Sequence, residues 1–90
     1  MVAARTTILN KLGLHARPAM AFVQVAAAQG SEVRVRRVGS DEWLDGKSIM
    51  QMLLLAATEG TEIEIECVGR DEEESLARLL QLVVSKFDEE

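Results

Sequence analysis

Residues 62–68 read EIEIECV, and glutamates alternate with apolar residues through most of this stretch. Successive side chains of a β-strand point to opposite faces, so the three glutamates would share one face and the apolar residues the other. Glu62–Val68 therefore predicts a strand with one face in water and the other in a core. The side chains expected to face the core are Ile63, Ile65 and Cys67.

Three further strands are predicted from the same two-residue period. Glu32–Val38 places Val33 and Val35 on one face and arginines between them. Arg5–Leu9 precedes it, and a short strand over Glu42–Leu44 follows a hairpin connection. Strands that have one polar face are typical of an antiparallel sheet that is open to water on one side.

Helical periodicity indicates three helices, over Pro18–Gln29, Ile49–Ala57 and Asp71–Lys86, and the tail Phe87–Glu90 is expected to fray. The order of elements is βαββαβα. It predicts a single α+β domain over residues 1–90, an open-faced two-layer sandwich. A four-stranded antiparallel sheet would be covered on one face by the three helices.

The composition excludes several classes of function. The net charge of −5 argues against a nucleic-acid partner and against an anionic membrane surface. The apolar runs are too short for membrane insertion. Cys67 is the single cysteine and cannot form an internal disulfide, and no signal peptide is visible. We therefore expect a cytoplasmic protein, and we expect it to be a monomer.

Two of the predicted helices begin with residues that suit a helix N-terminus. Asp71 is a candidate cap of the third helix and is followed by three glutamates. Ser48 is a candidate cap of the second helix, and Gln51 three residues later would complete a capping box. On the residues alone, capping is the preferred explanation for Ser48.

The first helix begins differently, because His15, Ala16, Arg17 and Pro18 supply no conventional capping side chain. Arg17 adds a cation to the positive end of the helix dipole, which costs roughly 0.3–1 kcal/mol. Open N–H groups and a guanidinium together suit a phosphate or carboxylate. His15 could bind that anion or accept it covalently, since imidazole is a nucleophile. The alternative is that His15 is an ordinary surface or capping residue, and the residues alone leave both open.

Three segments carry a resemblance to a known family. LGLHARPA at residues 12–19 resembles the active-site motif of HPr, the histidine-containing phosphocarrier of the bacterial phosphoenolpyruvate:sugar phosphotransferase system. GKSIMQMLLLAA at 46–57 resembles its regulatory serine segment, and GTEIEIE at 60–66 resembles its last strand. The resemblance extends from about Thr6 to Val84.

The resemblance implies the same fold and assigns roles to matched residues. His15 would accept a phosphoryl group on Nδ1 from phosphorylated enzyme I and pass it to a IIA component. Arg17 would pair with the phosphoryl oxygens. Ser48 would be phosphorylated by an HPr kinase/phosphorylase in lineages that have one. Such a protein is a carrier and not an enzyme, and it needs no metal or other cofactor.

Partner contacts are also implied by the resemblance. Met20, Ile49, Met50 and Leu53 match positions that form an exposed apolar patch in the family, although the pattern alone would place such residues in a core. Flexible methionines suit a surface that serves several partners. Gln51 stands where glycine is common in the family, which leaves the identity of the kinase and partners open.

Two other functions are alternatives to the carrier. One is a regulatory or nitrogen-branch paralogue that acts on partner proteins and not in sugar uptake; retention of His15 disfavours a paralogue that has lost phosphotransfer. The other is an anion-binding enzyme domain, for which the sequence offers no second general acid or base near His15.

Overall fold

The computed structural model describes residues 1–88. The order of elements along the chain is the predicted βαββαβα. The strands are β1 (Val2–Thr7), β2 (Glu32–Arg37), β3 (Leu44–Asp45) and β4 (Glu62–Val68). The helices are α1 (Ala16–Ala27), α2 (Ile49–Leu54) and α3 (Glu72–Val84), and a 3₁₀ turn, Lys86–Asp88, follows.

The strands form one antiparallel sheet in the order β1-β4-β2-β3, so β4 pairs on both of its edges. The predicted alternation of buried and outward-facing side chains along β4 is confirmed for its core face, because Ile63, Ile65 and Cys67 are fully buried. They pack with the buried valines of β2 and with side chains of the three helices, such as Phe22 and Leu79. The fold is the predicted open-faced α+β sandwich. No helix within residues 1–88 is long and apolar enough to cross a membrane.

The open face of the sheet carries a network of charges. Arg34 lies opposite Glu66 and Arg36 opposite Glu64 in the register of β2 and β4. Each arginine Nε donates to its glutamate at 2.8 Å. Both guanidinium carbons also lie over the ring of Trp43, at 4.7 and 4.8 Å from its centroid. Glu66 is buried beneath this layer, whereas the alternation alone placed it in water.

Several boundaries differ from the prediction for identifiable reasons. β1 occupies Val2–Thr7 and not Arg5–Leu9, because its small residues lack a clear pattern and pairing with β4 defines it. β3 is Leu44–Asp45 and not Glu42–Leu44. α2 ends at Leu54 and not at residue 57, since the backbone of Ala56 is left-handed at φ 52°.

The prediction that the tail frays from residue 87 onward is wrong for Phe87. Its ring is only 6% exposed and belongs to the core. The backbone of Lys86, Phe87 and Asp88 is left-handed, with φ near 60° at each residue, so the helical path of α3 does not continue through them. Glu89 and Glu90 lie outside the described residues.

The start of α3 is held by contacts that differ from the predicted cap. The Asp71 side chain does not cap α3. It instead accepts from the Gly30 N–H at 2.8 Å, at the end of the α1–β2 connection. Glu72 accepts from the Gly69 N–H at 3.0 Å. These backbone donors lower the pKa of both carboxyl groups. The two acids therefore join α3 to neighbouring loops.

Candidate functional site

His15 occupies the N-cap position of α1, where its backbone is extended (φ −75°, ψ −173°) and its side chain makes no capping hydrogen bond. Its carbonyl accepts from the Ala19 N–H at 3.0 Å, which begins the helical ladder. The side chain is half-buried. The histidine therefore stands at the entrance of a helix whose first turn has no side-chain cap.

The first turn of α1 begins two residues before the predicted start at Pro18. Proline fits there because the first N–H groups of a helix have no intrahelical acceptor. The N–H groups of Ala16 and Arg17 make no hydrogen bond with any residue in 1–88. Two backbone donors thus remain open next to His15, as an anion site at a helix start requires.

Arg17 is exposed, and the first turn of α1 contains no acidic residue. Among the described residues its guanidinium forms no ion pair. Arg34 and Arg36 on the sheet are by contrast each paired with a glutamate. Arg17 is separated by one residue from His15, so both residues and the open N–H groups belong to the start of α1.

The segment before His15 packs closely against the chain that follows α2. Leu14 is buried, and its N–H donates to the Ala57 carbonyl at 2.9 Å. At Gly13, with φ +66°, a Cβ atom would lie 2.4 Å from the Ala57 oxygen and 2.8 Å from the Thr58 Cα. Only glycine fits this approach, so the loop that carries His15 is anchored on its inner side.

Ser48 is the N-cap of α2, and its Oγ accepts from the Gln51 N–H at 3.2 Å. The predicted capping box is only half formed. The Gln51 side chain accepts from the Asp45 N–H at 2.8 Å instead of from Ser48, whose own N–H donates to the Asp45 carbonyl. The half-buried hydroxyl of Ser48 is thus occupied as a helix cap.

Ser48 and His15 lie at opposite ends of the α1–α2 pair. Lys47, next to Ser48, donates from Nζ to the Gln29 carbonyl beyond the C-terminus of α1. The other end of α2 leads to Ala57, whose carbonyl accepts from the Leu14 N–H. Leu14 belongs to the connection between β1 and α1, residues 8–15, which we call the His15 loop. The six residues of α2 rise about 9 Å along the axis, which separates the two positions.

The four predicted contact residues differ in exposure. Met20, Met50 and Leu53 are 52%, 71% and 41% exposed, whereas Ile49 is partly buried against the core.

Sequence reasoning missed Leu54, which is 73% exposed and shares the outer face of α2 with Met50. The signal lay in the run of leucines at 53–55, because a helix cannot bury three consecutive residues equally. Leu12, also missed, is 73% exposed in the His15 loop.

The fold and the site together define a small open-faced α+β protein that presents a histidine at the uncapped start of a helix. A family model described as the phosphorylation site of the PTS HPr component matches residues 2–85. The chain therefore belongs to the HPr family of phosphocarrier proteins of the phosphotransferase system.

Individual relatives agree with this assignment. The phosphocarrier protein HPr of Pseudomonas aeruginosa is 46% identical over 89 residues, covering 99% of this chain and 98% of that protein. The phosphocarrier protein NPr of Escherichia coli is 40% identical and covers 92% and 91%. The crystal structure of HPr-C-His from Thermoanaerobacter tengcongensis superposes with a TM-score of 0.94 at 39% identity, covering 100% and 99%.

Proposed function

We propose that His15 accepts a phosphoryl group on Nδ1 from phosphorylated enzyme I and passes it to a IIA component. In each transfer a P–N bond forms or breaks at the imidazole while the bond to the partner's group breaks or forms. The observation that carries the proposal is the position of His15 beside two open N–H groups at the start of α1. Imidazole is a nucleophile, and these donors suit the phosphoryl oxygens.

Arg17 is proposed to stabilise the phosphoryl group. Its guanidinium is exposed and forms no ion pair within residues 1–88, so no competing carboxylate needs to be displaced. A guanidinium forms charge-assisted hydrogen bonds with phosphoryl oxygens and stays accessible to solvent. Such contacts hold the group without preventing its transfer to the next protein.

Ser48 is proposed as the site of regulatory phosphorylation by an HPr kinase/phosphorylase. A phosphate at the start of α2 is compatible with the helix dipole, so the fold should persist. Because Ser48 and His15 lie at opposite ends of the α1–α2 pair, we expect the added charge to act on a partner that covers both ends of the pair, and not on the imidazole directly.

Enzyme I and the IIA components are proposed to dock on Met20, Ile49, Met50 and Leu53. Three of these side chains are exposed on α1 and α2, beside the His15 loop. Scattered exposed apolar residues are ordinary, but a cluster of this kind favours an interface. The protein is proposed to be a cytoplasmic, monomeric carrier of one domain, and a substrate of its partner enzymes, with no catalytic turnover of its own.

A second candidate function is a regulatory or nitrogen-branch carrier that acts on partner proteins and not in sugar uptake. The NPr relative supports it, because its 40% identity is close to the 46% shared with an HPr. The phosphorylation chemistry at His15 would be the same, and only the donor and recipients would differ.

The test is incubation with enzyme I and phosphoenolpyruvate, followed by intact-mass measurement. We expect a single acid-labile phosphate on the wild type and none on His15→Ala. A wild type that stays unmodified with a competent enzyme I would refute the carrier function. Competition between sugar-branch and nitrogen-branch enzyme I for the same sample would separate the two candidates by transfer rate.

A further inference from the structure

Asn10 is a fully buried polar residue in the loop between β1 and α1. Its Nδ2 donates to the Gly13 carbonyl at 2.7 Å, and the Gly13 N–H donates to the Asn10 carbonyl at 3.1 Å. The side chain and main chain of one residue thus close the same four-residue turn. Burial of an amide is unfavourable unless hydrogen bonds compensate for lost hydration, so this geometry requires a specific side chain.

These contacts fix a peptide plane close to His15. The oxygen of the Gly13–Leu14 peptide accepts from Asn10, and the N–H of the same peptide donates to Ala57 at 2.9 Å. A peptide unit is planar, so bonds at both ends determine the orientation of the whole plane. The carbonyl of His15 is held in turn by Ala19. Little backbone freedom remains between these two anchors.

We infer that Asn10 is a positioning residue for phosphoryl transfer at His15, an inference that rests on the proposed function. Asn10 orients the Gly13–Leu14 peptide, and through it the histidine toward the open N–H groups of α1. Transfer between aligned groups depends steeply on geometry, and a displacement of about 1 Å can cost about 100-fold in rate. The loss of the Asn10 amide should therefore reduce the transfer rate more than the affinity for the donor.

The test compares Asn10→Ala and Asn10→Asp with a matched control, Ser31→Ala. Ser31 is also fully buried, and its Oγ bonds to the Ser75 Oγ at 2.6 Å, in a connection away from His15. An ionised aspartate resembles asparagine in size but cannot donate to the Gly13 carbonyl. The measurements are circular dichroism, the transfer rate from phosphorylated enzyme I at saturation, its half-saturation concentration, and hydrogen exchange of the Leu14 amide.

We expect the phosphoryl-transfer rate of both folded Asn10 variants to fall by about tenfold or more, while the half-saturation concentration stays unchanged. The amide hydrogen of Leu14 should exchange faster in both variants. Ser31→Ala should melt at a lower temperature but transfer at the wild-type rate. Wild-type rates in the folded Asn10 variants, or an equal loss in Ser31→Ala, would overturn the inference while leaving the carrier function intact. A wild type that accepts no phosphate on His15 would overturn both together.

Discussion

The N–H of Leu14 donates to the carbonyl of Ala57 at 2.9 Å, which joins the residue before His15 to the chain that leaves α2. The two helices of the proposed docking surface therefore share a fixed point beside the histidine. A partner that contacts α2 would touch an element anchored to the loop that carries His15.

Gly13→Ala should destabilise the fold and slow transfer. Its Cβ would collide with the Ala57 oxygen at 2.4 Å, and φ is +66°. We expect a loss of about 2–4 kcal/mol in the free energy of unfolding, which combines overpacking with left-handed strain. Urea denaturation measures it. Gly39→Ala is the control, because φ there is +97° but no atom lies within 4 Å. An equal loss in the two variants would show that the close approach at Ala57 is unimportant.

Arg17→Ala should slow phosphoryl transfer and leave the fold intact. The side chain is exposed and stands at the positive end of the α1 dipole, so its removal should change the free energy of unfolding by about 0.5 kcal/mol or less, toward higher stability. Arg17→Lys keeps the charge without the guanidinium fork and should transfer at an intermediate rate. A marked fall in melting temperature for Arg17→Ala would instead indicate a structural role.

Ser48 substitutions should separate capping from charge. Ser48→Ala removes the acceptor for the Gln51 N–H and should cost about 1 kcal/mol in the free energy of unfolding, with transfer unchanged. Ser48→Asp retains a capping oxygen and adds a negative charge, so stability should stay near the wild type while transfer from enzyme I weakens. Thermal melts and transfer rates on the same samples test this. Equal transfer by both variants would argue against regulation by charge at this position.

Acid should unfold the protein partly through Asp71 and Glu72. The pKa of each carboxyl is lowered by backbone N–H donors, at Gly30 for Asp71 and at Gly69 for Glu72. Their stabilising contribution is complete above the unfolded pKa near 4 and is lost as the pH falls through the lower folded pKa. In Asp71→Asn, the free energy of unfolding should fall less steeply as the pH is lowered, which denaturation at successive pH values measures. Asp41→Asn is the exposed control, and an identical decline in both would contradict the assignment.

Cys67 should resist thiol reagents while the protein is folded. It is fully buried in β4. Burial is the main reason that the pKa of the thiol is raised to about 11, and the nearby negative charges of Asp71, Glu72 and Glu66 raise it further. Only the thiolate reacts, so labelling at pH 8 should be slow in buffer and fast in denaturant. Rapid labelling under native conditions would show that β4 opens locally.

The sequence predicted the order of elements and the core of the central strand because period-two alternation is a local property, and EIEIECV shows it directly. It placed β1 too late along the chain, over Arg5–Leu9, because the small residues before Arg5 show no pattern and pairing with β4 defines the strand as Val2–Thr7. The capping rules also failed where a distant partner competes: Asp71 bonds to Gly30, and Gln51 bonds to Asp45. His15 and Arg17 were identified because they contradict the local preference of a helix start.

The stacked arrangement around Trp43 has a practical consequence. It is the only tryptophan, there is no tyrosine, and the guanidinium groups of Arg34 and Arg36 both lie over its ring. The protein therefore contains its own fluorophore, held by the paired side chains of the sheet, and Gln51 of α2 lines the same concave surface as its ring. Its emission should report whether the sheet is intact, so unfolding can be followed optically in an unlabelled sample.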